Sequence, residues 1–480
     1  MKIRLIPTVL GFALALPGFA QTAQTAKDDI LRQIDAARTP YEQLALDIWN
    51  HAEVGYQETK SSAAIQEVLR REGFSVEAGV AGMPTAFVAS FGSGHPVIGV
   101  LGEFDALPGV SQTADPVRTE RADVHAGHAC GHHLFGAGSA EAVVAIKRWL
   151  QATGQPGTIR YYGTPAEEGG AGKVYMVRDG LFSDVDVVLH WHAGDRNLVT
   201  NSPSLANKSA KFRFRGVASH AAAAPERGRS ALDGVEAFNH MVNLMREHVP
   251  DSTRIHYVIT RGGEAPNVVP AFAEVYYYVR NPSREVVQDI WSRLEQAAEG
   301  AAMGTGTSVE HEVIHGIYDL LPNDTLAAVA HANLVRVGGV TYDEQEKAFA
   351  ARIGTTLPGG RPAALELAST VLPFDYVREG GGSTDVGDVS WNVPTIGVRT
   401  ATWVPGTPGH SWQAVAAGGT TIGLKGMHVA AKTLALTAVD LFTQPETIRA
   451  AKEEFARRRG PDFTYQSLIG NRPPPLDYRN

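Results

Sequence analysis

The chain has 480 residues, of which 44% are hydrophobic and 20% are charged, so it is long enough to form at least two domains with separate cores. Its formal net charge of −8 and the lack of a basic stripe argue against a nucleic-acid partner. The single cysteine, Cys130, excludes an intrachain disulfide.

The first 20 residues have the composition of a secretory signal peptide. Lys2 and Arg4 precede an apolar run over residues 6–16, and small residues occupy positions Gly18 and Ala20. Because this run is shorter than the roughly 20 apolar residues that a membrane helix needs, no membrane anchor is predicted. We expect cleavage after Ala20 and a periplasmic or secreted protein.

Helix and strand patterns alternate through residues 21–208, which we predict to form the first part of the larger domain. Apolar spacing predicts helices at residues 30–53, 61–72 and 137–150. Strands are predicted at residues 85–91, 96–101, 157–162 and 185–189. This alternation favours a three-layer α/β/α domain, whose functional sites lie at the carboxyl ends of the strands.

The pattern changes over residues 209–318. Predicted strands and helices follow in the order β-α-β-β-α-β, at residues 211–214, 231–247, 254–260, 273–280, 284–299 and 308–314. That order is typical of a ferredoxin-like unit. The larger domain resumes over residues 319–443, so the small unit is inserted into it. Residues 444–480 form a C-terminal extension, in which the segment RPPPL is expected to be extended along the surface.

Two motifs of the larger domain combine metal-binding residue types. Residues 127–133 read GHACGHH, and residues 164–170 read TPAEEGG. An isolated cysteine is usually a small buried hydrophobe, but the nearby histidines and carboxylates favour a zinc-like ion and a spare base. Gly131 permits the bend that lets Cys130 and His132 reach one ion. These motifs indicate a metal-dependent hydrolase.

The other histidines of this region have less specific interpretations. His125 and His128 are interpreted as loop residues that support a ligand, and His133 as a reserve ligand.

Eight short motifs occur in the order that is found in a known enzyme family. They are GEFDALP at 102–108, CGH at 130–132, TPAEE at 164–168, LHWH at 189–192, SH at 219–220, APNVVP at 265–270, GSTDVG at 382–387 and GHSW at 409–412. The chain resembles the dinuclear-metal amidohydrolases and peptidases related to aminoacylase and carboxypeptidase G. It is most similar to their subgroup of hippurate, auxin-conjugate and aminobenzoyl-glutamate hydrolases. The resemblance implies a catalytic larger domain, an inserted domain for dimerisation that also acts as a lid, and a homodimer.

The resemblance further implies two divalent ions, zinc or manganese. The ligands would be Cys130, His132, Glu168, His192 and His410. Five ligands exceed the four of a closed tetrahedral site and suit two ions that share the thiolate. Taken alone, a histidine at the end of a hydrophobic strand, such as His192, could be a core residue, and His410 could be a surface loop residue.

Glu167 is predicted to be the catalytic base. Adjacent residues on an extended backbone point apart, so Glu168 can face metal while Glu167 faces an activated water molecule. Two solvated loop acids are the alternative. Asp105 resembles the family's acidic residue that orients a ligand, and its alternative is a turn residue before proline.

Three further residues are expected to contact the substrate. In relatives, the histidine matching His220 reaches the site of the partner subunit, and the residues matching Asn267 and Arg280 bind the oxyanion or the substrate carboxylate. A surface ion pair is the alternative for Arg280. Asp385 is expected to support the metal ligands or to cap a helix, and Asp388 to cap a helix.

Three functions are compatible with these residues. The first is hydrolysis of an N-acyl or N-aroyl amino acid, with aminobenzoyl-glutamate-like amides preferred. The second is a dipeptidase or carboxypeptidase with the same metal centre. The third is a periplasmic metal-binding protein without turnover, against which Glu167 argues, because metal storage needs no base. His133 departs from the resemblance, since hippurate-type relatives generally have aspartate after the ligand histidine.

Overall fold

A computed structural model describes residues 17–360, 364–376 and 381–479 of the chain. Residues 1–16, which hold most of the predicted signal peptide, lie outside this range. Within the described residues, no helix combines the length and the apolar composition that crossing a bilayer requires.

The first part of the chain alternates helices and strands. Its helices are α1 (Pro17–Ala37), α2 (Thr39–His51), α3 (Thr59–Arg71), α4 (His132–Thr153) and α5 (Gly172–Arg178). Its strands are β1 (Ser75–Ala78), β2 (Phe87–Ser93), β3 (Val97–Gly102), β4 (Leu107–Pro108), β5 (Ala126–Gly127), β6 (Gly157–Gly163), β7 (Val187–Gly194) and β8 (Leu198–Thr200).

The middle part has the predicted order of elements. These are β9 (Ala206–Arg215), α6 (Ala231–Met245), β10 (Arg254–Arg261), β11 (Phe272–Asn281), α7 (Arg284–Thr305) and β12 (Ser308–Ile317). The four strands form an antiparallel sheet in the order β10-β11-β9-β12, as in ferredoxin-like folds. Both helices share a hydrophobic core with this sheet, separate from the core of the larger domain. The 209–318 domain boundaries themselves stay a prediction.

The last part returns to the larger domain. Its elements are α8 (Asp324–Val337), α9 (Glu344–Gly354), α10 (Val386–Ser390), β13 (Thr395–Ala401), α11 (Trp412–Gly418), α12 (Thr421–Thr443) and α13 (Pro445–Arg459). The large sheet has the strand order β1-β2-β6-β3-β7-β13-β8, and its neighbours β6, β3, β7 and β13 are parallel. Helices α4 and α12 pack on each other and on the central strands. The predicted α/β fold with an inserted ferredoxin-like unit is confirmed.

Two element predictions need correction. The single helix expected over residues 30–53 is two helices, because Pro40 lies in the first turn of α2 and lacks the N–H that a continuous helix would need. The strand expected over residues 185–189 extends to Gly194. His192 therefore lies inside the last part of β7, where the sheet fixes its backbone against Arg399 of β13.

Candidate metal centre

The parallel strands bring chemically active residues to one edge of the large sheet. Glu103 and Asp105 follow β3, Glu167 and Glu168 follow β6, and His192 lies near the end of β7. Because β6, β3 and β7 are adjacent and parallel, their carboxyl ends meet at one place. His410 joins them from the loop that follows β13.

Cys130 lies at the centre of this group. Its Sγ is 3.4 Å from Nε2 of His192, and it forms a potential ligand set with His132 and His192. A second set joins Cys130 to Glu168 and His410. Within each set the ligand atoms lie within 4.8 Å of one another. The structure thus brings the five predicted ligands together in two sets that share the thiol.

Local backbone conformation makes this convergence possible. Gly131 has a φ of 78° between Cys130 and the first residue of α4, and a Cβ at this position would lie 2.3 Å from Cβ of Ala193. Only glycine fits such a left-handed and crowded position. His410 has a φ of 59°, and its N–H donates to the carbonyl of Ala129 at 3.0 Å, which draws its loop toward Cys130.

A third potential ligand set consists of Glu103, His132 and Glu167. Nε2 of His132 lies 2.9 Å from Oε2 of Glu103 and 4.0 Å from Oε2 of Glu167. Nδ1 of His132 lies 2.8 Å from Oδ1 of Asp105. Asp105 therefore contacts a predicted ligand, in the position of a residue that orients an imidazole. Glu103 was not predicted, although it lies in the same motif as Asp105.

A buried lysine connects this set to a distant loop. Nζ of Lys173 is 2.6 Å from Oε1 of Glu103 and 2.7 Å from Oδ1 of Asp385, and all three side chains are at most 1% exposed. The backbone N–H of Lys173 also donates to Asp385 at 2.9 Å. Asp385 thus contacts a residue that holds Glu103 and makes no side-chain capping hydrogen bond.

Asp388 was wrongly interpreted as a helix cap. It lies inside α10, where its carboxylate accepts hydrogen bonds from the backbone N–H of Tyr318 at 2.9 Å and from the hydroxyl of Tyr465 at 2.7 Å. Burial raises the pKa of Asp388 to about 7.

Replacing Lys173 by methionine should lower the free energy of unfolding by about 3–5 kcal/mol, since removing one partner of a buried ion pair leaves the remaining charges uncompensated. Denaturant unfolding of the purified variant measures this change. Lys347→Met is the control, because the ion pair of Lys347 with Glu344 is exposed and should contribute little. An equal stability of Lys173→Met and wild type would contradict the assigned role.

The electrostatics of the centre favour an anionic ligand set. Burial opposes ionisation of the Cys130 thiol, but the imidazoles of His192 and His132 outweigh it and hold its pKa well below the usual range. Burial, followed by the charge of Cys130, raises the pKa of Glu168 to about 7.

Glu167 and His410 are shifted upward as well. Burial raises the pKa of Glu167 well above its ordinary value, and the nearby Glu103 and Glu168 carboxylates raise it further. Hydrogen bonds to Cys130 and Glu168 raise the pKa of His410 to about 10. A carboxyl with a raised pKa has the property that a general base working near neutral pH requires.

The residues present fit a bound metal. Three buried atoms of the centre, Oε2 of Glu103, Nε2 of His132 and Oε1 of Glu168, make no hydrogen bond within the described residues. Buried polar atoms are normally paired, so atoms left unpaired around one space are those that a cation would satisfy. Thiolate, imidazole and carboxylate are also the donor types of zinc-like ions.

The remaining predicted residues lie elsewhere. His220 and Asn267 are exposed on neighbouring loops of the inserted unit, where the N–H of Ala221 donates to the carbonyl of Asn267 at 3.0 Å. Arg280 lies on β11, with its guanidinium 5.1 Å from the ring centre of Tyr278. No contact among the described residues joins His220 or Asn267 to the metal ligand sets.

The reserve-ligand interpretation of His133 is wrong, whereas His128 supports the loop as expected. His133 is fully buried, and its Nε2 lies 3.0 Å from the carbonyl of Gly418. Burial lowers the pKa of His133 to about 3, so the ring stays neutral. His128 similarly contacts the carbonyl of Ile48 at 3.0 Å. His125 is exposed.

Comparison with known proteins places this geometry in a family. Residues 206–306 match the model of a peptidase dimerisation domain of the M20 type. Over 446 residues the chain is 41% identical to one of the two subunits of the p-aminobenzoyl-glutamate hydrolase of Escherichia coli strain K12, and the match covers 88% of this chain and 93% of that protein. The chain belongs to the M20 family.

Other M20 relatives extend the comparison. The chain is 28% identical over 467 residues to the Xaa-Arg dipeptidase of Mus musculus, covering 93% of this chain and 97% of that protein. A crystal structure of a dinuclear metal binding M20 peptidase from Bacillus subtilis shares the fold, with a TM-score of 0.60 and 18% identity over 85% of this chain and 99% of that one. As an M20 protein with this site, the chain is a metal-dependent hydrolase.

Proposed function

We propose that the protein hydrolyses the amide bond of N-acyl or N-aroyl amino acids, with aminobenzoyl-glutamate-like amides preferred. The observation that carries the proposal is the pair of ligand sets that share Cys130, with the carboxylate of Glu167 beside them. The name of the Escherichia coli relative supports the substrate class. A catalytic role is favoured over metal storage because Glu167 lies outside both Cys130-centred sets.

The five predicted residues would hold two divalent ions, zinc or manganese. Cys130 would bridge them, with His132 and His192 on one side and Glu168 and His410 on the other. Asp105 would orient His132 through the 2.8 Å contact between Oδ1 and Nδ1. Glu103 would neutralise Lys173 and support the same imidazole.

Amide hydrolysis requires a nucleophile, a base and an acid. Bound divalent ions polarise a carbonyl oxygen and lower the pKa of a water molecule. The carboxylate of Glu167 accepts a proton from that water as the oxygen attacks the amide carbon. Glu167 then donates the proton to the amide nitrogen, the carbon–nitrogen bond breaks, and the amine leaves. The raised pKa of Glu167 suits both steps.

Substrate contacts would come from the inserted domain. Arg280 offers a planar guanidinium that suits a carboxylate. His220 and Asn267 lie on exposed loops, so they would reach the site of a partner subunit and stabilise the oxyanion there.

The inserted domain carries an apolar surface that suits a second copy of the chain. On the edge strand β10, Tyr257, Val258 and Ile259 are 37%, 55% and 40% exposed, and Leu244 of the neighbouring α6 is 58% exposed. Exposed apolar edge strands tend to pair with another chain. We expect a homodimer through this surface, in agreement with the match to a dimerisation domain.

Replacing Val258 by aspartate should convert the dimer to a monomer, because a charge would be buried without a partner at the interface. Light scattering of the purified protein measures the mass. Val335→Asp is the matched control, since Val335 of α8 is 55% exposed outside this surface. A dimeric Val258→Asp variant or a monomeric wild type would contradict the interface.

We also propose export across the inner membrane, on the basis of the signal-like first 20 residues. The mass of the protein recovered from an extracytoplasmic fraction should correspond to a chain that begins at Gln21. An intact Met1 in that fraction would contradict cleavage.

A small substrate panel tests the proposed activity. Metal-loaded protein should cleave p-aminobenzoyl-glutamate faster than hippurate, and both faster than a dipeptide, by the ratio of kcat/KM. A dipeptidase is the second candidate, supported by the Xaa-Arg dipeptidase relative, and it would show the reverse order with a basic C-terminal residue preferred. Cleavage of neither class would contradict the proposal.

A further inference from the structure

The loop that carries Glu167 and Glu168 has a strained backbone. Ala166 and Ala171 are non-glycine residues with φ values of 57° and 58°, and Gly169 has a φ of 101°. Such conformations cost free energy and persist only where surrounding contacts hold them. The loop must therefore be fixed from outside.

Two contacts from the larger domain fix one side of this loop. The N–H of Ala166 donates to Oε1 of Glu58 at 2.8 Å, and the N–H of Glu168 donates to Oδ2 of Asp105 at 2.9 Å. Both acceptors are buried carboxylates. The N–H groups of the loop are held in this way, but its carbonyl groups need donors.

Those donors come from the C-terminal end of the chain. The hydroxyl of Tyr478 donates to the carbonyl of Glu168 at 3.2 Å, and Nη2 of Arg479 donates to the same oxygen. The ring of Tyr478 packs edge-on against Tyr56, with centroids 5.6 Å apart and an angle of 73°. Tyr56 in turn donates to the carbonyl of Gly170 at 2.8 Å.

The neighbourhood leaves room for Tyr478 and for little else. A Cβ at Gly55 would lie 2.2 Å from the Tyr478 hydroxyl, so any larger residue there would displace it. On the other side, a Cβ at Gly169 would lie 3.6 Å from the Tyr478 ring. The tyrosine thus occupies a close-fitting place beside the loop, which differs from the extended surface path expected for this tail.

The tail is anchored before it reaches the loop. Nη1 of Arg178 donates to the carbonyl of Arg472 at 2.7 Å, and Arg472 itself donates to the carbonyl of Val313 in the inserted domain. Prolines 473–475 follow directly, and their fixed φ angles restrict the path of the chain. The last residues are therefore delivered to Glu168 by a short, stiff segment that contacts both domains.

We propose that Tyr478 and Arg479 are positioning residues that hold the backbone of Glu168 and thereby orient the carboxylates of Glu167 and Glu168. Two donors, one of them charged, converge on a single carbonyl, and charge-assisted hydrogen bonds are the stronger kind. A small displacement of a ligand or base is enough to slow catalysis. The effect on catalysis rests on the proposed function, whereas the effect on metal retention does not.

Metal release tests the inference without any substrate. Zinc-loaded protein is mixed with excess chelator, and the release rate is followed with a chromogenic indicator. Arg479→Ala and Tyr478→Phe should release zinc several-fold faster than wild type, because Glu168 is held less firmly. Arg479→Lys should lie closer to wild type, since it keeps a charged donor. Asp477→Asn is the matched control, because Asp477 is exposed in the same segment, and it should equal wild type.

Steady-state kinetics gives the second measurement. In the metal-saturated variants kcat should fall about tenfold while KM changes less than twofold, the split expected for displaced catalytic geometry. Tyr478→Phe keeps the ring packing and so reports on the hydrogen bond alone. Wild-type release rates and kcat in both variants would overturn the inference. A raised KM with unchanged kcat and release rate would also overturn it, because Arg479 would then bind substrate. Absence of amide hydrolysis in wild type would count against the proposed function and leave the release result valid.

Discussion

Replacing Glu167 by glutamine is expected to lower kcat for amide hydrolysis by about 10²–10⁴-fold, the usual contribution of general acid–base catalysis. Glutamine has nearly the same shape but cannot accept the proton of an attacking water molecule. Because Glu167 lies outside the two Cys130-centred ligand sets, the variant should keep its metal. Steady-state kinetics and elemental analysis of the dialysed protein measure the two effects.

The control for this variant is Glu236→Gln, since Glu236 is exposed on α6 of the inserted domain. It should retain wild-type kcat and metal content. Full activity of Glu167→Gln would remove Glu167 from the mechanism. Loss of metal from Glu167→Gln would make the residue a ligand, in line with its place in the set with Glu103 and His132.

Replacing Cys130 by serine is expected to have a comparably large effect through metal binding. The thiol belongs to two ligand sets, and its pKa lies well below the usual range, so it is a thiolate in the folded protein. A serine hydroxyl has a similar size but stays protonated and is a poor ligand. We expect the dialysed variant to lose at least one ion per chain and more than about 90% of its activity, with partial recovery in excess metal.

Metal content by elemental analysis and titration of activity with zinc or manganese check this result. Ser139→Ala is a suitable control, because Ser139 is fully buried in α4, beyond the metal end of the helix. A Cys130→Ser variant with two ions per chain and wild-type activity would contradict a bridging role.

The sequence was sufficient to assemble the predicted ligands. Cys130, His132 and Glu168 lie in compact motifs whose residue types are chemically specific, and His192 follows a recognisable hydrophobic strand. The rule that parallel strands place sites at their carboxyl ends then brings these motifs together. The structure agrees, with Sγ of Cys130 3.4 Å from Nε2 of His192.

Other parts of the site depend on contacts that no local pattern encodes. Lys173 has the sequence context of an ordinary helix lysine, and only the fold reveals its burial between Glu103 and Asp385. The contact of Tyr478 with Glu168 joins residues 310 positions apart. Glu103 had a usable signal, since an acid directly after a buried strand lies at the functional edge of such a sheet.

Anomalous diffraction from a zinc-soaked crystal tests the central claim most directly. The account predicts two zinc peaks per chain, with Sγ of Cys130 bonded to both at about 2.3 Å, His132 and His192 at one ion, and Glu168 and His410 at the other. A single four-coordinate ion, or zinc bound away from Cys130, would contradict it.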